Sequence, residues 1–482
     1  MTPLAIALST VLLAATVADG EPAFSERLRA ETGVVGGLTA TEAARRAETT
    51  SGDVAARQAE IDAAEAAVTQ TGIGFFPRLA GGARYTRLSN IEAPLFGVSV
   101  VAPGAPVGPL PANTPLVNVP VRFPVLLDQT SFQGTLAVPL SDYFLRIGPA
   151  YAAAMRTEAA ARFAHDAARR RVAAEVKALY YEWARTRLSR LAEEAAVAQA
   201  RGHLDDVSKA FAAGSASRAD VLRVEAQLAG AEQAAVGTTT LSRALQARLE
   251  TVMHVGSGAP LAVGEAIASD FNSALAERDL DRLTAAAVGA RPEIRGLDAT
   301  AAALGRQARA AAGAGAPVLA VVGEITDANP NPRYIPSPDR FATTWSASAQ
   351  ITWSPNDAAT SYEAYRGLRA RQAQVAETRR ALVDQVRSEI AGALQAVDNA
   401  ASAQLTSARA ARSAEESYRV RRSLFQNGRA TSVELTDAET ELTRARLAVI
   451  SARIDARLAD VALLRALGRD TPDARPALVG SR

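Results

Sequence analysis

Apolar residues recur at alternating spacings of four and three through two long tracts of this chain. The first runs from about Ala150 to Ala212 and carries Val172, Val176, Leu179 and Trp183 on one stripe. The second runs from about Ala358 to Gln426 and carries Val383, Val386, Ile390, Leu394 and Val397. Stripes of this kind predict long helices packed side by side in the manner of a coiled coil. A glycine closes each tract, at Gly214 and Gly428, and suits the left-handed position that ends a helix. Ser217 and Thr431 then cap a further helix, and in the second case the stripe continues through Leu447, Ile450, Ile454, Leu458 and Val461. Two long helical hairpins result.

Shorter helical text precedes each hairpin. It runs from Thr39 to about Gln70, with Thr39 and Glu42 spaced as a capping box, and starts again after Arg291–Ile294. Four runs have strand character: Pro77–Tyr85, Ser131–Ser141, Pro317–Ile325 and Thr344–Ser354. In the last, Trp345, Ala347, Ala349, Ile351 and Trp353 alternate with small or polar residues. Eight prolines lie between Pro94 and Pro124 and four between Asn329 and Pro338, so the segments inside each strand pair read as loops.

The two hairpin turns carry one phrase twice. AFAAGSASRADVLRVEAQL begins at Ala210 and LFQNGRATSVELTDAETEL at Leu424. A constant offset of 214 residues takes Phe211 to Phe425, Gly214 to Gly428, Ser217 to Thr431, Asp220 to Glu434, Glu225 to Glu439, Leu228 to Leu442 and Ala231 to Ala445. Each half therefore reads helix, strand, loop, strand, long helix, turn, helix. The expected divisions are a first repeat over 38–255, a connecting segment over 256–290, a second repeat over 291–468 and a disordered tail over 469–482.

Composition narrows the classes. The 482 residues include 53 basic and 51 acidic side chains, a net charge of +2 without the basic excess of a nucleic-acid binder. No cysteine is present, which removes disulfides, thiol chemistry, thiolate metal sites and an N-terminal lipid anchor. The three histidines, His165, His203 and His254, are scattered and read as helix-surface or loop residues. No nucleophile–base pair, metal motif or phosphate loop points to an enzyme, and no cofactor is expected. The uncharged apolar run from Pro3 to about Ala18 reads as a signal peptide over 1–18.

Four strands cannot close a barrel around a wet lumen, and open edges in lipid would leave backbone groups unpaired. Either several chains complete one barrel, or the strands form a small soluble sheet capping a helical bundle; alternation alone leaves both readings open. The leader, the proline-rich loops and the aromatic strand ends at Phe75, Phe76, Tyr85, Trp345 and Trp353 favour the membrane.

The duplicated F-x-x-G-x-x-[ST]-x-x-[DE]-hydrophobic phrase, Arg-Pro-Glu-Ile at Arg291–Ile294 and Phe-Pro-Arg-Leu at Phe76–Leu79 together resemble the TolC family of outer-membrane efflux and secretion factors. The resemblance covers roughly Leu38 to Gly468. It implies a mainly α fold with a membrane β-barrel portion, in which long coiled-coil hairpins form an α-barrel and four strands per chain complete a trimeric barrel. It further implies a homotrimer in outer-membrane lipid with a long periplasmic extension, working with a periplasmic adaptor and an inner-membrane pump of RND or ABC type. Export of small molecules is the reading taken; a type I protein-secretion channel and a soluble coiled-coil scaffold are the alternatives.

The resemblance also implies roles for particular residues. Glu434 and Asp437, three apart on one helix face, would form an acidic pore constriction whose crowding raises carboxylate pKa values. Their repeat equivalents, Asp220 and Arg223, can neutralise each other, which places the first hairpin outside the constriction. In the family the acid at the Asp220 position is latched to a hydroxyl and an arginine of the second hairpin. Here those positions are Phe425 and Ala430, which cannot hold it, and Arg429 is the neighbouring candidate. Phe211 and Phe425 would also plug the helix ends, and Gly214 and Gly428 would face the adaptor at the hairpin tips.

Overall fold

A computed structural model describes residues 24–90, 95–101, 108–109, 111–122, 125–256, 258, 261–335 and 337–470. The expected signal peptide lies outside them, as does the expected tail beyond Asp470. In chain order the elements are α1 (Phe24–Ala30), α2 (Ala40–Thr50), α3 (Gly52–Ile73), β1 (Arg78–Arg87), β2 (Leu95–Val101), β3 (Leu116–Arg122) and β4 (Asp128–Pro139). A π-helical turn, Tyr143–Ile147, leads into α4 (Gly148–Ala212), followed by α5 (Arg218–Val252), α6 (Leu280–Ala290) and α7 (Pro292–Ala314). The remainder is β5 (Val318–Asn329), β6 (Ala342–Thr352), α8 (Pro355–Gln426) and α9 (Ser432–Ala466). The two expected long helices are thus present with 65 and 72 residues, each ending within a residue or two of the expected glycine.

The chain divides into two compact units, and α3, α4, α7 and α8 run from one into the other. The first unit comprises residues up to Gln58, Phe163–Arg295 and those from Arg380 on. Its main core gathers Trp183, Tyr180 and Leu188 of α4, Leu249 of α5 and Ile450 and Ile454 of α9 around Leu28 and Leu38. A second cluster joins Leu283 and Ile294 to Val386, Ile390 and Leu463. Within the segment over 256–290, Val263 forms a parallel bridge with Leu38, and Glu265 accepts a hydrogen bond from the Tyr181 hydroxyl at 2.9 Å. Tyr180 donates to the Leu38 carbonyl at 2.8 Å, which satisfies a phenol that is otherwise wholly buried. Asp470, placed in the tail by sequence reading, is buried and pairs with Lys177 of α4.

The single helix expected from Thr39 to Gln70 is broken at Ser51 into α2 and α3. The Thr39 hydroxyl accepts from the Glu42 N–H at 3.2 Å, yet the Glu42 carboxylate turns to Arg45 and Arg46 instead of back to the cap. Half of the anticipated capping box therefore forms.

The second unit, Ala59–Arg162 and Gly296–Arg379, holds an antiparallel sheet in the order β1-β4-β5-β6. Its register makes the two faces chemically distinct. Leu79 stands opposite Leu136, Leu136 opposite Gly323, and Ile325 opposite Trp345. Counting in twos from these pairs, Phe132, Val321 and Ile351 share their face. The other face carries Arg84, Gln133, Glu324, Thr326 and Ser346, with Gln133 donating to Glu324 at 2.7 Å. Among the described residues the outer strands β1 and β6 each have only one partner.

The proline-rich segment after Pro94 is not simply a loop. β2 and β3 pair as a two-stranded ribbon in which Pro120 stands opposite Gly97. In such a ribbon half of the N–H groups point away from the partner strand, and a proline at one of those positions costs no ladder bond. Proline counting overlooked the alternation of Val98 and Val100 against Val117, Val119 and Val121.

Candidate functional site: the paired hairpin turns

The turns between α4 and α5 and between α8 and α9 are built alike. At the first, Gly214 adopts φ 77°, its N–H reaches the Phe211 carbonyl at 3.0 Å, and the Ser215 N–H reaches Ala210 at 2.9 Å. At the second, Gly428 adopts φ 68°, its N–H reaches Phe425 at 2.9 Å, and the Arg429 N–H reaches Leu424 at 2.8 Å. Both are Schellman ends, which need a left-handed residue that glycine supplies without strain. A β-carbon on either glycine would meet no atom within 4 Å, so both tips stand free in the single chain.

Each following helix opens with a complete capping box. The Ser217 N–H donates to Asp220 at 3.1 Å while the Asp220 N–H donates to the Ser217 hydroxyl at 3.2 Å. The Thr431 N–H donates to Glu434 at 2.8 Å while the Glu434 N–H donates to Thr431 at 3.3 Å. Hydrogen bonds from Ser217, with Arg223 at 3.5 Å, hold the Asp220 carboxyl below its usual range. Hydrogen bonds from Thr431 likewise hold the Glu434 carboxyl low, with a smaller contribution from Arg421 at 3.9 Å. Within one chain Glu434 is thus engaged at its own helix start. Asp437, one turn on, is exposed.

The aromatic pair diverges. Phe425 packs on Val207, Val221 and Val224 and meets the His203 ring edge-on at 5.2 Å. Phe211 is 42% exposed and does not join that cluster. Arg429 is exposed and lines an open groove with Arg412, Glu416, Arg421 and Glu434 on the second hairpin; it does not meet Asp220.

Sequence reading missed the polar group that joins these hairpins. His203 of α4, assigned to a helix surface or loop, is 3% exposed. Its Nδ1 lies 3.1 Å from Glu439 Oε2 and its Nε2 lies 3.1 Å from Ser432 Oγ, both on α9. Gln227 of α5 donates to the same Glu439 oxygen at 2.9 Å and accepts from the Thr436 hydroxyl at 2.9 Å. The signal was present in α4: Ala200, His203 and Val207 fall at spacings of three and four and are all buried. The order hydroxyl, imidazole, carboxylate is also that of a hydrolase relay, so a nucleophile–base pair does exist. Ser432 is only 6% exposed, however, and its hydroxyl is turned to His203 instead of to solvent.

Among the described residues no helix is long and apolar enough to cross a membrane, and no group of acidic or histidine side chains could hold a metal ion. Paired helical hairpins and a two-faced sheet make up a fold shared with solved outer-membrane channels. The chain is similar in structure to the outer-membrane channel OprN, at 18% identity and a TM-score of 0.71 over 89% of both chains. It is similar to VceC from Vibrio cholerae, at 17% identity and a TM-score of 0.70 over 89% of this chain and 96% of that one. The open state of the MtrE channel of Neisseria gonorrhoeae superposes with a TM-score of 0.66, at 17% identity over 89% and 88% of the two chains. No curated protein sequence matches the chain significantly. Residues 43–253, most of the first repeat, match the family described as outer membrane efflux protein.

Proposed function

We propose that three copies of this chain form an outer-membrane channel of a tripartite efflux system, exporting small molecules that an inner-membrane pump and a periplasmic adaptor pass on. The observation that carries this reading is the sheet. Its strands have 10 to 12 residues, enough to span the apolar layer at a tilt. One face presents Leu79, Phe132, Ile325, Trp345 and Ile351 exposed, whereas the other is polar. β1 and β6 leave open edges that lipid cannot satisfy, and a neighbour's matching edges can. An apolar outer face around a polar lumen follows from the register once the sheet is closed. Glycine-tipped turns fit contact with an adaptor, since Gly214 and Gly428 leave room for close approach.

In this trimer Glu434 and Asp437 of the second hairpin line the constriction and favour cations over anions. Asp220, paired with Arg223, contributes little. Purified protein in a planar bilayer tests the assignment. The double variant Glu434→Gln with Asp437→Asn should lower cation preference by about twofold or more, and Asp220→Asn should leave it nearly unchanged. Equal effects from the two would reject the assignment; failure of the wild-type protein to conduct at all would reject the channel.

A further inference from the structure

Two arginines beside one end of the sheet have no counterion, and their surroundings specify one. We infer that Arg306 and Arg309 of α7, with Tyr365 of α8, bind the phosphate of an anionic phospholipid at the membrane surface, its chains lying along Phe144 and Leu145. This site rests on the channel reading, because it needs the sheet to stand in lipid.

The groove is built within the second unit, where helices and strands join. α7 ends at Ala314, shortly before β5 begins at Val318, and the π-helical turn Tyr143–Ile147 follows closely on β4. Gly313 lets the two come together: a β-carbon there would lie 2.0 Å from the Leu145 carbonyl oxygen. Single π-helical turns recur at functional sites. Here the turn and α7 border a groove of about 730 Å³, lined by Phe144, Leu145, Arg306, Arg309 and Tyr365 among others. A second hollow of about 420 Å³ shares Arg306, Arg309 and Tyr365 and adds Arg369. Among the described residues no acidic side chain lines either.

The charges stand apart from others in this unit. Arg146, Arg162, Arg366 and Arg379 each meet a carboxylate. Among the described residues Arg306 and Arg309 meet none and make no hydrogen bond. Arg369 is held by Gln372 at 2.6 Å, which in turn donates to the Ala301 carbonyl at 3.1 Å. Arg306 and Arg309 are three apart, so they crowd like charges on one helix face. An anion between them relieves that repulsion, and guanidinium groups match phosphate oxygens two at a time. Tyr365, half-buried beside them, supplies a hydroxyl donor.

Position selects a lipid over a free anion. At about 1.5 Å per residue, Arg309 and Arg306 lie roughly 8 and 12 Å before the end of α7. The polar layer on each side of a bilayer is about 5–8 Å deep, so these side chains stand beside the headgroups when the strands fill the apolar layer. The apolar face of the sheet runs down to the same place. Leu319 stands opposite Ile351 there, and Trp353, two residues on, donates from its indole to the Gly315 carbonyl at 3.1 Å. Phe144 is 83% exposed and Leu145 40%. Acyl chains cover such a surface favourably and water does not. Inorganic phosphate would satisfy the arginines and leave Phe144 and Leu145 wet, whereas a phospholipid carries charge and chains in one molecule.

For the test, purified full-length protein in detergent is mixed with phosphatidylglycerol or with zwitterionic phosphatidylcholine, and retained lipid is counted by native mass spectrometry. Wild-type protein should favour phosphatidylglycerol by about tenfold or more, the factor one hydrogen bond between charged groups supplies. Arg306→Gln with Arg309→Gln should abolish that preference. Both positions are exposed, so thermal unfolding of this variant without lipid should match the parent. Arg162→Gln with Arg366→Gln removes the same charge from paired sites and should keep the preference. No preference in the wild type, or equal loss in both double variants, would overturn the site. Displacement of phosphatidylglycerol by millimolar inorganic phosphate would overturn it too, since that marks a site for a free anion. An arginine-dependent preference in a protein that fails to conduct in planar bilayers would uphold the site and remove the channel function; a conducting protein without the preference would remove the site alone.

Discussion

The two hairpin turns share a backbone and differ in what their side chains do with it. Both carry a left-handed glycine, a Schellman end and a capping box in which an acid three residues into the helix returns to its cap. Beyond those shared parts the copies diverge. Phe425 is packed where Phe211 stands in solvent, Glu439 is buried where Glu225 is exposed, and Asp437 replaces the arginine that pairs with Asp220. The repeated residues are the ones that local geometry requires: glycine for positive φ, a hydroxyl for the first free N–H groups. Residues released from that requirement took up contacts between the copies. Similarity therefore locates the turns, and dissimilarity locates the contacts between the copies.

The largest test of this contrast sets Glu439→Leu against Glu225→Leu. The first strands donors on His203 and Gln227 and should lower stability by about 2–4 kcal/mol. The second should stay within about 0.5 kcal/mol, as surface changes do. Thermal unfolding of the purified variants measures both, and similar losses would erase the distinction. A smaller difference is expected between Phe425→Ala, at about 1–3 kcal/mol for a partly buried ring, and Phe211→Ala, below about 0.5 kcal/mol. The smallest effect should be common to both copies. Gly214→Ala and Gly428→Ala have open space for the new methyl group, and each forces an L-residue to positive φ. Each should cost about 1 kcal/mol, and a clear inequality would mean that one tip is constrained by something other than its own backbone.

Much of the fold was legible because it is written locally. The stripes of α4 and α8, the glycines after them and the caps at Ser217 and Thr431 each act within a few residues, and the boundaries followed. The four sheet strands were found as strand-like runs, one of them by its alternation, although their ends shifted by up to four residues. The β2–β3 ribbon was missed because the prolines around it outweighed its valines. The break at Ser51 was also missed, although Ser51-Gly52 is a turn dipeptide at that point. The site divided in the same way. Asp220, Glu434 and both glycines could be read from the repeat, since their partners lie within three residues. His203 meets Ser432 and Glu439 across 229 and 236 residues of chain, and no local pattern joins them.

The sheet order has one consequence for genetics. In the proposed trimer every strand edge is shared, so β1 of one chain is completed by β6 of the next. A proline introduced into β6 would injure a seam that belongs to two chains at once. Expressed beside the normal chain in equal amount, such a variant would leave about one assembly in eight free of damage. Lesions along either seam should therefore behave as dominant, and lesions inside the four-stranded sheet of a chain that no longer assembles should be recessive.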